Sequence, residues 1–160
     1  MKTVYIETSI VSYLASRQTR DLLVTAHQQL TRTWWDSNRN RFQTFVSPVV
    51  LSEASRGNPD AAERRLSYIK DISVLEIVPK AIELTSILLR EGALPATAQN
   101  DAAHIAIAAV HDIDYLLTWN CRHIDNAEMK PIIRSVILKR KYNCPEICTP
   151  EELMGGNSHE

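Results

Sequence analysis

Short runs of β-branched and aromatic residues alternate along this chain with longer stretches whose apolar residues recur at helical spacing. That alternation admits few folds. "KTVYI" (2–6), a run in "FQTFVSPVV" (42–50) that Pro48 ends, "VLEIV" (74–78), "YLLTW" (115–119) and a last short "EIC" read as strands. Helices are predicted through "IVSYLAS", capped by Thr8 or Ser9, and from Asp21 through "DLLVTAHQQLTRTWWDSN". Others follow in "VLSEASRG" up to Gly57, from Pro59 to about Lys70, in "PKAIELTSILLREG", over Thr97–Asp112, and over 128–141. Strands that alternate with helices make a parallel sheet covered on both faces. The predicted architecture is an α/β three-layer sandwich around a mainly parallel sheet of four to five strands.

The chain has 160 residues, one ordinary domain, expected over 1–154 with a loose tail at 155–160. Hydrophobic residues make up 44% and charged residues 23%, which excludes a disordered chain. No apolar run reaches the roughly 18 residues of a membrane span, and "ETS" arrives too early for a signal peptide, so a cytoplasmic location is expected. Three cysteines, an odd number, argue against a disulfide scaffold. Cys121, His123, Cys144 and Cys148 match no common structural zinc spacing well, so buried or idle thiols are the expectation. A net charge of −1 leaves nucleic acid open as a partner without favouring it.

Open parallel sheets bind ligands at the carboxyl ends of their strands, where strand order reverses. Glu7 falls at that end of the first strand and Asn120 just past the fourth. Glu53 lies in the short helix after the second strand, and Asp101 in the opening part of the helix that leads into the fourth. Each residue has an unremarkable reading of its own. Asp101 complements a helix dipole, Glu53 faces solvent, Glu7 serves a helix N-terminus, and Asn120 makes a turn. Convergence gives a different chemistry. Two carboxylates about 4 Å apart repel by roughly 4 kcal/mol at an effective dielectric near 20, so a cluster holds either protons or a cation. Hard oxygen donors select Mg²⁺ or Mn²⁺, ions that activate water and stabilise charge on a phosphodiester.

The stretches "VYIETSIVSYL", "VSPVVLSEASRG" and "ALPATAQNDAAHIAIAAVHDIDYLLTWNCRHI" together resemble the PIN-domain ribonucleases, in particular the VapC-type toxins of toxin–antitoxin pairs. The third stretch is the most specific, an acid followed by an Ala/Ile-rich helix, a short strand and "TWN". The resemblance implies a PIN-like sandwich and a Mg²⁺- or Mn²⁺-dependent endoribonuclease that is restrained by an antitoxin and is a homodimer. It places Glu7, Glu53, Asp101 and Asn120 at the catalytic and metal-binding positions, with Thr8 or Ser9 as the hydroxyl that follows the first acid. Arg122 and His123 are the expected phosphate contacts. His104, one helical turn after Asp101, either bonds a neighbour or packs.

Two positions depart from the family pattern. Glu7 stands where aspartate is usual and reaches one methylene further. Asn120 replaces a fourth aspartate, which removes a charge but keeps a carbonyl oxygen able to ligate. Asp125 and Asp114 are further acids, of which Asp125 is a candidate to restore that charge. The departures also admit a second reading, a PIN-like module that binds RNA or protein with weakened chemistry. A receiver-like phosphoryl acceptor is disfavoured, because no acidic pair follows the first strand and no lysine lies late in the sheet. For a dimer, Trp34 and Trp35 with nearby leucines offer an apolar patch, and core packing is the alternative.

Overall fold

A computed structural model describes residues 1–155, so the tail expected at 155–160 lies, apart from Gly155, outside the described residues. Among the described residues, five strands run β1 (Thr3–Ile6), β2 (Gln43–Val46), β3 (Ser73–Val74), β4 (Tyr115–Leu117) and β5 (Glu146–Cys148). All pair in parallel, in the order β3-β2-β1-β4-β5. The helices are α1 (Thr8–Ala15), α2 (Leu22–Ser37), α3 (Pro48–Ala54), α4 (Pro59–Ile69), α5 (Pro79–Arg90), α6 (Gln99–Val110) and α7 (Lys130–Lys139). The expected α/β sandwich is what forms.

Right-handed crossovers explain the layers. From β1 to β3 the chain steps one way across the sheet, which sets α1–α4 together on one face. From β3 to β5 it steps back, and α5–α7 pack together on the other. The order reverses between β1 and β4, the two strands whose ends carry Glu7 and Thr118.

Local chemistry sets the boundaries. Asp21 caps α2 by accepting from the amides of Leu23 and Val24 at 3.0 and 3.1 Å. Asn58 caps α4 in the same way, ahead of Pro59 in the first turn. Gly92, at φ +74°, follows the end of α5 in a conformation that suits glycine.

Three strands end earlier than predicted. β2 stops at Val46 because Ser47 Oγ caps α3 and Pro48 opens that helix, so the "SPVV" segment is helical entry. β3 keeps only Ser73 and Val74, since β2 offers no rung beyond the bond from Leu75 N to Val46 O. Likewise β4 ends at Leu117, opposite Ile6, the last residue of β1.

The core lies on both sides of β1 and β4. Val4, Tyr5, Ile6, Leu116 and Leu117 are buried, as is nearly the whole of α6 from Ala102 to Ala109. Small alanines there let α6 approach α5 and the sheet closely. Trp34 and Trp35 are also buried, Trp34 donating from Nε1 to the carbonyl of Leu153 at 3.1 Å. Of the two readings for this pair, core packing is the one that forms. Among the described residues no helix is long and apolar enough to cross a membrane.

Candidate active site

Glu7 leaves β1 directly into α1, and its amide still bonds to Leu117 O at 3.1 Å, which ties the ends of β1 and β4 together. Its side chain makes no cap bond to α1. The carboxylate is buried, only 5% of the residue being exposed, and Oε1 accepts from Ser9 Oγ at 2.5 Å and Thr118 Oγ1 at 2.6 Å. Hydroxyls alone do not neutralise a buried carboxylate.

Glu53 comes from α3 and points inward, against the solvent-facing alternative. Its Oε1 accepts from Thr8 Oγ1 at 2.7 Å and faces His104 Nε2 at 2.6 Å. His104, fully buried on α6, reaches Tyr5 OH with its Nδ1 at 2.6 Å, and Tyr5 OH lies 2.7 Å from Ser47 Oγ. One assignment satisfies every group. Ser47 accepts from Val50 N and donates to Tyr5, Tyr5 donates to His104 Nδ1, and Nε2–H donates to Glu53. Burial drives the Tyr5 phenol well above its usual range, so it remains a donor. For Glu53, burial works upward, but the bonds from His104, Thr8 and Asn100 outweigh it and hold the carboxyl below the ordinary 4.5.

Ligand atoms of Glu7, Glu53 and His104 all lie within 4.8 Å of one another. His104 Nε2 is 3.9 Å from Glu7 Oε2. Of the two readings for His104, bonding a neighbour is the one that forms, since this imidazole engages both Glu53 and Tyr5. Two convergent carboxylates with only hydroxyls, a neutral imidazole and the Asn100 amide for partners suit a divalent ion. The signal for His104 was its place three residues after Asp101, on the same helical face.

Asp101 and Asn120 form a second group beside the first. Asn120 Nδ2 donates to Asp101 Oδ1 at 3.2 Å, His123 Nδ1 meets Asp101 Oδ2 at 2.9 Å, and Asn120 Oδ1 accepts from the amide of His123 at 3.0 Å. Asn120 thus does make a turn, and its side chain also reaches the acid. The two groups join through Thr118, whose Oγ1 accepts from Asn120 N at 2.9 Å while donating to Glu7. Ser9 Oγ adds a second tie, accepting from Trp119 N at 2.8 Å.

The remaining candidates separate. Arg122 is exposed beside this group. Asp125 is held by Lys130 Nζ at 2.6 Å, so it does not restore the charge missing at Asn120. Asp114 precedes β4 and binds Thr3 at the opposite edge of the sheet. The cysteines join no metal-binding cluster among the described residues, and burial pushes Cys144 and Cys148 up to about 11 and 12. A shallow concavity of about 290 Å³ lined by Thr97–Asp101 adjoins the acids. A larger one of about 510 Å³, lined by Lys2, Arg41, Tyr115 and Met154, contains none of the site acids and opens at the amino ends of β1 and β4.

This architecture recurs in known structures. The chain is similar to a chain of the VapBC2 complex of Rickettsia felis, solved bound to a DNA fragment from its promoter. The TM-score is 0.60 with 14% identity over 92% of this chain and 98% of that one. It is also similar to VapC20 of Mycobacterium tuberculosis, a toxin that cleaves the sarcin–ricin loop, with TM-score 0.57 and 15% identity over 81% and 94%. No protein-family model matches the sequence, and no curated protein matches it by sequence. The class that the fold defines is thus the PIN-like α/β sandwich, here with acids at the carboxyl edge of its sheet. Within that class, the fold is the one seen in VapC toxin structures.

Proposed function

We propose that this chain is a Mg²⁺- or Mn²⁺-dependent endoribonuclease and the toxin of a toxin–antitoxin pair. The observation that carries the reading is the convergence of Glu7 and Glu53 beside His104, at the point where a PIN-like sheet reverses its strand order. Glu7, Glu53, Asp101 and Asn120 are the proposed metal-site and catalytic residues. When bound, the ion would supply an activated water and charge stabilisation on the phosphodiester.

The chain's own residues do the rest. Ser9 and Thr118 fix the Glu7 carboxylate, while Thr8 and the Tyr5–His104 relay fix Glu53. Asn120 and His123 orient Asp101 at the mouth. Thr8, Ser9, Arg122 and His123 form the proposed rim for the RNA backbone, Arg122 meeting phosphate as a cation. An antitoxin protein and a second copy of the chain are the proposed partners.

The test is cleavage of RNA by the purified chain with Mn²⁺, compared with Glu53→Gln. Cleavage lost in the variant is the expected result. No cleavage by either protein, with any RNA, sinks catalysis. One observation favours the second reading, a binding module with weakened chemistry: both oxygens of Asp101 are already engaged, by Asn120 and His123. Calorimetry separates the two, because a binding module should give no Mn²⁺ heat that disappears in Asp101→Ala.

A further inference from the structure

Three aromatic side chains meet beside the acids, from α1, α2 and the segment after β4. His27 and Trp119 stack with ring centres 4.0 Å apart and planes 12° from parallel. Tyr13 lies 5.5 Å from His27 and 6.1 Å from Trp119, with its ring steeply inclined to both. Those separations put Tyr13 beside the stack, so it covers neither outer face of the pair.

Hydrogen bonds hold the group in place. Trp119 donates from Nε1 to Thr31 Oγ1 at 2.8 Å, and its backbone amide donates to Ser9 Oγ, the hydroxyl that also bonds Glu7. Trp119 is therefore tied to the acid through one serine. All three rings are half-buried, in contrast to the fully buried Trp34. Arg17 and Arg20 on the α1–α2 connection and Arg122 after Trp119 are exposed, and none has an ion-pair partner among the described residues. An ordered, partly open aromatic surface, with unpaired arginines on the chain segments that follow Tyr13 and Trp119, fits a base with its phosphates.

We propose that Tyr13, His27 and Trp119 form a stacking shelf for one nucleobase of single-stranded RNA, which seats the nucleotide next to the phosphate presented to Glu7 and Glu53. The shelf rests on the ribonuclease reading above. Stacking tolerates any base, because each has a π-face, so it positions the strand without dictating sequence.

The experiment titrates intrinsic fluorescence with mixed-sequence single-stranded RNA octamers in EDTA, where no metal-dependent cleavage occurs. Trp34 is fully buried and Trp35 nearly so, which leaves Trp119 as the indole a base can reach. Saturable quenching is expected. Trp119→Leu should abolish it and weaken binding of a labelled octamer, read by anisotropy, by about ten-fold, with Trp119→Phe recovering most of the affinity. An octamer that binds without quenching, or that binds Trp119→Leu as tightly as the unsubstituted chain, overturns the shelf. Intact Mn²⁺-dependent cleavage with unquenched fluorescence overturns the shelf alone. Absence of both binding and cleavage overturns the ribonuclease reading and the shelf with it. The quenching measurement needs no variant, so a misfolded Trp119→Leu does not shield the proposal.

Discussion

His104 Nε2 lies 2.6 Å from Glu53 Oε1, while its Nδ1 lies 2.6 Å from the buried hydroxyl of Tyr5. One fully buried imidazole thus connects the middle of the central strand to a carboxylate at the sheet's edge. Removing it leaves two polar groups without their partner. His104→Ala is expected to cost about 1–3 kcal/mol from the unpaired groups, plus the cavity left behind. Urea unfolding measures this, and a cost below about 0.5 kcal/mol would mean that the relay is not formed.

The same bond sets a pH dependence. Hydrogen bonds from His104, Thr8 and Asn100 overcome burial and hold Glu53 below its ordinary 4.5. A carboxylate depressed on folding contributes stability that is whole above the unfolded-chain value and is lost as pH falls through the folded one. The melting midpoint should therefore drop on acidification below about pH 4.5, and more steeply than in Glu53→Gln. Parallel profiles for the two proteins would contradict this account of Glu53.

Metal binding should appear as stability before any activity is measured. At one hundred times its dissociation constant, Mn²⁺ adds about 2.7 kcal/mol, or roughly 5–10 °C in the melting midpoint of a domain this size. The double variant Glu7→Gln/Glu53→Gln should show no rise. An equal rise in the double variant would place the ion elsewhere.

Asn120→Asp is expected to act in opposite directions with and without metal. Its amide donates to Asp101, so an aspartate there sets two carboxylates against each other and lowers the metal-free melting midpoint. With Mn²⁺ present, the added charge should tighten binding by about one to two decades. Calorimetry and melting on one preparation check both arms, and a change of the same sign in both refutes the argument.

Ser9 joins Glu7 to the exit of β4, which makes it a positioning residue. Ser9→Ala should cost about 2 kcal/mol in urea, since one lost bond is to a carboxylate, and should slow RNA cleavage. Ser9→Thr keeps the hydroxyl and should restore both. Failure of threonine to rescue either measurement would show that Ser9 matters for space alone.

Much of this was legible in the residues. Alternating apolar runs mark the five strands and seven helices of the described residues, because strand and helix periods differ and Asp21, Asn58 and Gly92 punctuate the helices. Strand ends were misjudged where the limit is a neighbour's length: Leu75–Val78 has strand composition but no rung left on β2. At the site, the positions of Glu7, Glu53 and Asp101 at the sheet edge follow from the ligand rule for parallel sheets. The division into two bonded groups does not, since it depends on His104 choosing Glu53 and His123 choosing Asp101. The stack of His27 on Trp119 was equally invisible, because 92 positions separate the two rings along the chain.

The sheet is bounded by strands of two and three residues, β3 and β5. An incoming chain finds almost no unpaired backbone on either flank to zip onto, so growth of the sheet from copy to copy is disfavoured. Whatever assembles with this protein must grip the side chains of its helical layers, and its choice of companion is written there.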